Sequence, residues 1–356
     1  MFKVGIIGAG SISDSHIKAY QAHPECEIKS LADVNMELAE RKAKTYGIPN
    51  VYNDYHELLK DSEIDAVSIA TPTFTHKQIV IDALNAGKHV LCEKPPALNA
   101  DEVREIKAAA EKSGKCLMIG FICRFRNQIQ YLKEYINKGK MGKILCGEAV
   151  RLSRCSSLKG WFVNKSKAGG GPLIDANIHE IDSVLYLMGY PKPKTVLGFT
   201  SDMNKDFPDK IKGRTAGWTS ADTKVYERNV ENFANAFVTF ENGACLSIKT
   251  STVLNTVSTG TYMDISGEKA GARMEPFEAD KYLVMVERTE DNYLREVKPE
   301  LTNVKGGDLW LRQIDHFVDC CTKGTECICK IDEAVVLMEI IDAIYKSAEI
   351  NQPVIF

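Results

Sequence analysis

Lys3-Val4-Gly5-Ile6-Ile7-Gly8-Ala9-Gly10-Ser11-Ile12-Ser13, near the start of the 356-residue chain, decides the fold. An apolar run short enough for a buried strand ends in Gly8-x-Gly10, and a helical pattern follows over about residues 13–22. A second apolar strand, residues 28–32, is followed at once by Asp33. A strand, a glycine turn, a helix, a second strand and a terminal acid are together typical of a dinucleotide site.

Each residue of this pattern has a physical reason. Gly8 permits the tight turn, and Gly10 lets the backbone approach a pyrophosphate, whose charge the helix N-terminus favours. Asp33 is placed to accept hydrogen bonds from both adenosine ribose hydroxyls, and its charge would repel a 2′-phosphate, so we predict NAD rather than NADP. The third glycine of the usual pattern is replaced by Ser13, which is also small; the alternative interpretation is an ordinary βα turn. Ser11 and Ile12, which directly follow Gly10, are also predicted to belong to the cofactor site.

Composition excludes several classes of protein. Hydrophobic residues make up 44% of the chain and charged residues 26%, as in ordinary globular proteins. A net charge of −3 without a basic stripe argues against a nucleic-acid partner. We find no apolar run of membrane-spanning length and no signal-peptide pattern, and therefore expect neither a membrane association nor export.

The eleven cysteines are scattered, and none forms a CxxC pair. Cys320-Cys321 and Cys327-x-Cys329 lack partner histidines at zinc-finger spacing, so we expect no metal site there. This usage favours free thiols in a reducing cytoplasm.

Residues 1–122 alternate short apolar strands with helical patterns. This alternation predicts an α/β domain with a doubly wound parallel Rossmann sheet, whose ligand lies at the carboxyl ends of the strands. Strands are predicted at residues 3–7, 28–32, 66–70, 89–92 and 116–119, and helices at 37–46, 76–86 and 100–113. Three further segments end strands at that edge: Thr71-Pro72-Thr73, Glu93-Lys94-Pro95 and Gly120-Phe121. Of these residues, we predict that Thr71, Pro72, Thr73, Glu93 and Lys94 contact the cofactor.

Residues 123–356 predict an α+β domain with a mostly antiparallel open sheet, and its closing helices are expected to pack back on the first domain. Glu241-Asn242-Gly243 is a strong hairpin signal. The polar stretch 201–228 is interpreted as a solvated loop, with a mobile cover or an arm to a neighbouring subunit as the alternative. Helices are predicted at 127–137, at 309–323 and at 332–350, and another helix is predicted to follow the turn Gly169-Gly170-Gly171-Pro172 and to run through about residue 188. Strands are predicted at 143–151, 233–240, 244–250, 261–266, 281–287 and 293–297.

Three residues are candidates for chemistry. Asp175 and His179 stand four residues apart, which on a helix puts both on one face. A carboxylate that holds a substrate hydroxyl beside an imidazole that accepts its proton suits the oxidation of an alcohol. The alternative is a surface pair at a helix start, but the preceding glycines favour a close-packed turn. Lys94, at the sheet's ligand edge, is placed to orient the hydroxyl and relay its proton, and the Lys94–Pro95 bond is a candidate cis peptide.

These motifs together resemble the Gfo/Idh/MocA oxidoreductases over nearly the whole chain. The resemblance rests on Gly8-x-Gly10, Ala70-Thr-Pro-x-x-x-His76, Glu93-Lys94-Pro95, Gly120-Phe121 with Arg124-Phe125, and Gly169-Gly-Gly-x-x-x-Asp175-x-x-x-His179. It implies NAD(P) chemistry on sugars, cyclic polyols or their derivatives, and homodimers or homotetramers built through the open sheet. It also implies that Lys94, Asp175 and His179 form the catalytic group.

Several further residues are assigned on this basis. Thr73 replaces a common asparagine near the nicotinamide ribose, and His76 is interpreted as a support for the cofactor loop. Arg124 is a candidate contact to cofactor or substrate, with a domain-junction salt bridge as the alternative. Trp161 is a candidate wall of the nicotinamide pocket, with simple packing as the alternative. Three other departures from the family pattern are Cys123, Asn177 and Glu180.

The sequence thus predicts an NAD-dependent dehydrogenase of a sugar or cyclic polyol. A variant of this hypothesis keeps NAD tightly held and passes its hydride to a second carbonyl compound. The alternative from another class is a nucleotide-binding regulator that has lost turnover. The intact group of Lys94, Asp175 and His179 argues against the regulator.

Overall fold

The computed structural model describes residues 1–157, 159–202, 215–216, 226–275, 283–301 and 308–356. The polar stretch 201–228 lies mostly outside these residues, and so does the start of the strand predicted at 281–287.

The first part of the chain forms a six-stranded parallel sheet, as predicted. Its strands are β1 (Phe2–Ile7), β2 (Cys26–Ala32), β3 (Asn50–Tyr52), β4 (Ala66–Ile69), β5 (His89–Cys92) and β6 (Leu117–Ile119). Its helices are α1 (Ser13–Ala22), α2 (Met36–Tyr46), α3 (Tyr55–Leu59), α4 (Thr73–Asn85) and α5 (Ala100–Ser113). The strand order β3-β2-β1-β4-β5-β6 reverses at β1, so a crevice opens where β1 and β4 end.

Local chemistry accounts for these elements. The central strands are mostly apolar, and Val4, Ile6, Val67 and Val90 are fully buried, as expected for strands covered by helices on both faces. Helix α5 begins at Asn99, whose Oδ1 accepts a hydrogen bond from the Glu102 N–H at 3.0 Å. The sequence prediction missed β3 and α3. Strand β3 gives a weak signal because it has only three residues, all half-buried, at the edge of the sheet.

The rest of the chain builds a nine-stranded sheet, mostly antiparallel, as predicted. Its order is β16-β15-β14-β13-β7-β12-β11-β9-β17, and only β7 and β12 run parallel to each other within the described residues. The strands are β7 (Ile144–Leu152), β8 (Ser156–Ser157), β9 (Pro193–Ser201), β10 (Thr215–Ala216), β11 (Phe233–Phe240), β12 (Cys245–Ser251), β13 (Gly260–Gly267), β14 (Ala270–Met274), β15 (Leu283–Arg288), β16 (Leu294–Val297) and β17 (Val354–Ile355), of which β8 and β10 pair separately.

The helices of this part are α6 (Asn127–Asn137), α7 (Lys165–Ala168), α8 (Pro172–Asp175), α9 (Ile178–Met188), α10 (Leu309–Lys323) and α11 (Ile331–Ile350). Two short 3₁₀ helices span Ile122–Phe125 and Gly160–Val163. None of the helices in the described part of the chain combines the length and apolar character needed to cross a bilayer.

The single helix predicted from the glycine-rich turn through residue 188 is wrong. The chain forms α8 and α9 with a break at Ala176 and Asn177. The Asn177 N–H donates to the Pro172 oxygen five residues back at 2.8 Å, and its buried side-chain amide donates to the Ala149 oxygen of β7 at 3.4 Å. The side chain thus ties this break to the nine-stranded sheet.

The two closing helices join the sheets. Helix α10 packs against α1, where the Trp310 ring lies 5.3 Å from that of His16. Helix α11 packs against α5, where Asp342 Oδ2 accepts the Ala100 N–H at 2.7 Å. Because α11 also packs against β9, the end of the chain joins the two sheets.

Candidate active site

A cleft of about 2140 Å³ lies between the carboxyl edge of the parallel sheet and strands β7, β12 and β13 of the nine-stranded sheet. That exceeds the roughly 300–1,000 Å³ of a single small-ligand pocket and suits a dinucleotide together with a second molecule. Most residues predicted for the site line it, namely Gly8, Gly10, Ser11, Ile12, Asp33, Thr71, Pro72, Thr73, Glu93, Lys94, Trp161, Asp175 and His179.

The glycine turn after β1 has the geometry that the sequence predicts. Gly8 has φ +105°, and a Cβ there would lie 2.6 Å from the Ala70 oxygen, so the two strand ends approach closely only because this residue is glycine. A Cβ on Gly10 would meet nothing nearer than that oxygen at 4.0 Å. Gly10 therefore leaves open space on the cleft side of the turn, just before the N-terminus of α1.

Asp33 holds the turn from the neighbouring strand. Its Oδ2 accepts the Ala9 N–H at 2.6 Å, and its Oδ1 accepts the Asn35 N–H at 2.8 Å. Val34, next to it on the cleft rim, is 95% exposed. An open glycine turn, a helix N-terminus, an acid and an uncovered apolar rim together fit the pyrophosphate, ribose and adenine of NAD.

Lys94 joins the two sides of the cleft. Its Nζ donates to the backbone oxygen of Asp175 at 2.6 Å and to Asp175 Oδ1 at 3.2 Å. The Lys94–Pro95 peptide is cis, as the sequence suggested. A lysine from β5 thus meets the carboxylate at the end of α8, and both are mostly shielded from solvent.

Glu93 holds the backbone of Lys94 through a hydrogen bond. Its Oε2 accepts the Lys94 N–H at 3.1 Å, and its Oε1 lies 2.8 Å from His16 Nε2. His16 Nδ1 in turn lies 2.6 Å from the hydroxyl of Ser68 on β4. This buried chain of polar contacts fixes the end of β5, and the sequence prediction did not include His16 or Ser68 in it.

His179 lines the cleft from the first turn of α9. Its Nδ1 is buried and has no hydrogen-bond partner among the described residues. Burial, reinforced by the positive charges of Lys94, Arg151 and Arg126, lowers the pKa of His179 well below its usual value. The ring is therefore neutral at pH 7 and able to accept a proton.

The glycine-rich turn before α8 is built around a half-buried acid, Glu231. Glu231 accepts the Gly171 N–H at 2.8 Å, the Leu173 N–H at 3.1 Å and the Tyr345 hydroxyl at 3.0 Å. A Cβ on Gly170 would lie 2.0 Å from that hydroxyl. The glycines are thus needed because α11 and the Glu231 segment press against this turn, which places Asp175.

Arg124 corrects one prediction. Its side chain is 0% exposed and does not line the cleft. Its guanidinium donates to Asp182, with Nη2 2.6 Å from Oδ1, and also to Glu333 and the Ile328 oxygen. The salt-bridge alternative therefore describes this residue, because it joins the Ile122–Phe125 turn to α9 and the start of α11.

His76 lies behind the cleft rather than in it. Its Nδ1 is 2.8 Å from the Pro95 oxygen and its Nε2 is 2.8 Å from the Thr71 oxygen. The ring thus ties the ends of β4 and β5 together, and burial lowers its pKa. Trp161 does line the cleft, with its ring stacked on Phe162 at 3.9 Å.

The sequence prediction missed two arginines of the cleft. Arg126 and Arg151 both line the cleft. Arg151 Nη1 lies 3.3 Å from Oε1 of the buried Glu180, and burial raises the pKa of Glu180. Arg126 follows a short turn and Arg151 lies near the end of β7, and these positions were the available sequence signal. To recognise both as cleft residues, one must know how the nine-stranded sheet packs against the parallel sheet.

The fold and site define an oxidoreductase with an NAD-binding Rossmann fold. A model described as "Oxidoreductase family, NAD-binding Rossmann fold" matches residues 2–121, and one described as "Oxidoreductase family, C-terminal alpha/beta domain" matches residues 133–356. The chain belongs to this Gfo/Idh/MocA family, as its motifs predicted, and NAD as cofactor is confirmed.

Relatives cover nearly the whole chain. A D-glucoside 3-dehydrogenase of Escherichia coli (strain K12) is 32% identical over 98% of this chain and 95% of its own length. A myo-inositol 2-dehydrogenase of Thermotoga maritima is 26% identical over 86% of this chain and 89% of its own. A levoglucosan dehydrogenase solved with NADH superposes with TM-score 0.84 at 25% identity, covering 99% of this chain and 98% of that one.

Proposed function

We propose that this protein oxidises a secondary hydroxyl of a sugar, glycoside or cyclic polyol with NAD. The observation that carries the proposal is the Lys94–Asp175 pair beside a neutral His179 in one cleft. The names of the D-glucoside, myo-inositol and levoglucosan dehydrogenases support the substrate class.

Each residue of the group has a distinct role in this proposal. His179 accepts the hydroxyl proton, because its lowered pKa leaves the ring neutral at pH 7 with a free lone pair for that proton. Asp175 holds the hydroxyl, and Lys94 fixes that carboxylate and assists the proton transfer. Bound NAD would take the hydride from the carbon that carries this hydroxyl.

The remaining cleft residues divide between cofactor and substrate. Gly8, Gly10, Ser11 and Ile12 would face the pyrophosphate, and Asp33 the ribose. The strand-end residues and Trp161 would lie toward the nicotinamide, namely Thr71, Pro72, Thr73 and Glu93. Arg126 and Arg151 would face the substrate's other hydroxyls.

We also propose that the nine-stranded sheet associates with a second copy, giving a homodimer or homotetramer in the cytoplasm. Leu197, Phe199 and Phe237 are 53%, 52% and 46% exposed. Leu197 pairs directly with Phe237 across β9 and β11, so these side chains form an apolar patch on the outer face. Burial of that patch in a dimer is the physical reason for the association.

The proposed activity is tested by following NADH formation with a panel of methyl glycosides, inositols, aldoses and anhydrosugars. NADP is run in parallel. We expect turnover with at least one of these classes and a preference for NAD. The proposal is contradicted if protein that binds added NAD forms no NADH with any member of the panel, and if the purified protein releases no retained NAD or NADH on denaturation. NADH or NAD released only on denaturation would identify the variant with a retained cofactor.

A further inference from the structure

A group of soft metal ligands lies outside the cleft, where α10 ends. Donor atoms of His316, Cys320 and Cys327 lie within 4.8 Å of one another. His316 and Cys320 are one helical turn apart and share a face of α10, with Cys320 Sγ 3.4 Å from His316 Nε2. The chain reverses at Gly324, with φ +69°, and brings Cys327 back beside them. We call these three residues the thiol–imidazole cluster.

We propose that the thiol–imidazole cluster binds one zinc-type divalent cation. Two thiolates and one imidazole are the ligand types that Zn²⁺ prefers in proteins. In a tetrahedral zinc site the sulfur–nitrogen edge is about 3.6 Å and the sulfur–sulfur edge about 3.8 Å, from the usual bond lengths. The separations in the cluster differ from these by about 1 Å or less, which side-chain rotation supplies.

Cys116 is a candidate fourth ligand. It lies just before β6, beside Cys320 and Cys321 of α10, and outside the group of donor atoms that lie within 4.8 Å of one another. Rotation toward the cluster would supply the third sulfur of a Cys₃His set. A cation there would tie α10 and the turn after it to the edge of the parallel sheet.

The imidazole already has the form that a metal requires. The Ile328 N–H donates to His316 Nε2 at 3.1 Å, so this nitrogen is unprotonated. A bound cation would take the place of that N–H at the lone pair. His316 and Cys327 are half-buried, which leaves a route for the ion from solvent.

The position of the cluster assigns it a stabilising role rather than a catalytic one. None of its three residues lines the cleft. The turn that carries Cys327 also supplies the Ile328 oxygen that accepts from Arg124. A ligand that binds only the folded chain raises its stability with ligand concentration, so the cation should strengthen this junction.

The test uses the full chain, stripped with a chelator and kept reduced with a phosphine. Co²⁺ is titrated as the probe. We expect one equivalent to bind with thiolate-to-cobalt charge-transfer absorption and intense visible bands typical of tetrahedral coordination. Zn²⁺ should displace it and raise the Tm by several degrees. Absence of the charge-transfer absorption in the wild-type chain would overturn the proposal.

Variants make the assignment specific. Cys327→Ser and His316→Gln should each weaken Zn²⁺ binding at least tenfold, and Cys327→Ser should reduce the charge-transfer absorption. The matched control is Cys146→Ser, a half-buried cysteine on β7 in the other sheet, which should bind as the wild type does. Wild-type affinity in folded Cys327→Ser and His316→Gln proteins, checked by circular dichroism, would contradict the site.

Discussion

The Nζ atom of Lys94, just beyond the end of β5, lies 2.6 Å from the backbone oxygen of Asp175 and 3.2 Å from its Oδ1. Lys94 follows a strand of the parallel sheet and Asp175 ends α8 in the second part of the chain, so their contact forms only when the cleft is assembled. The ammonium orients the carboxylate that would hold the substrate hydroxyl. This contact therefore couples the packing of the two parts of the chain to the proposed chemistry.

Replacing the ammonium tests its role in turnover. Lys94→Met keeps the length of the side chain and removes the charge, and we expect kcat to fall about 100-fold or more. The KM for NAD should change little, because Lys94 contacts Asp175 rather than the glycine turn. Steady-state NADH formation measures both. Lys88→Met, at the opposite end of β5, is the matched control, and equal losses in the two variants would refute a specific role.

The pH dependence of turnover tests His179. Its lowered pKa means that the neutral base persists as pH falls below the usual value of about 6.5, and is lost only at the lower folded-state pKa. We expect kcat/KM of the wild type to fall with decreasing pH only below pH 6.5, and we expect no such acid limb in His179→Asn. The same shift destabilises the folded chain as pH falls below 6.5, since the unfolded chain binds the proton more readily. An acid limb centred above pH 7 would assign it to another group.

Asp33 tests the choice of cofactor. Asp33→Asn removes the charge and keeps one acceptor for the Ala9 N–H. We expect the ratio of kcat/KM for NADP to that for NAD to rise about tenfold or more, which is about 1.4 kcal/mol. Asp54→Asn, another carboxylate at the cleft rim, should leave the ratio unchanged. An unchanged ratio in Asp33→Asn would remove the reason for the NAD preference.

Arg124 tests the distinction between a structural and a binding role. Arg124→Met leaves Asp182 buried and without its cation, so we expect the free energy of unfolding to fall by about 3–5 kcal/mol. The Kd for NAD should stay within a few-fold of wild type. Denaturant unfolding and calorimetric NAD titration measure the two quantities. If Arg124→Met had wild-type stability but had lost its affinity for NAD, Arg124 would be a cofactor contact after all.

Much of the parallel sheet was predictable because the sequence patterns that define its strands and turns lie within short stretches of the chain. An apolar strand, a glycine turn and a terminal acid occupy the first 33 residues, and the Ala9 N–H of that turn donates to Asp33. The motif residues of the site were predictable for the same reason. Strand β9 was missed because polar residues and Gly198 interrupt it, so no apolar run marks it in the sequence.

Other features depend on contacts between distant parts of the chain. Arg124 looks like a ligand contact in sequence, and only Asp182 and Glu333 show that its charge is already paired. The break at Asn177 depends on the Ala149 oxygen of β7. The thiol–imidazole cluster uses a helical spacing and a chain reversal rather than a zinc-finger pattern, so the cysteine count alone did not indicate it.

The most direct measurement compares NADH formation by wild-type protein and His179→Asn with the best substrate of the panel, at saturating NAD. The account predicts a loss of kcat of about 100-fold or more, because the amide is not a base at neutral pH. It also predicts a Kd for NAD within about threefold of wild type by calorimetry. Full turnover by folded His179→Asn would contradict the central claim that this imidazole takes the substrate proton.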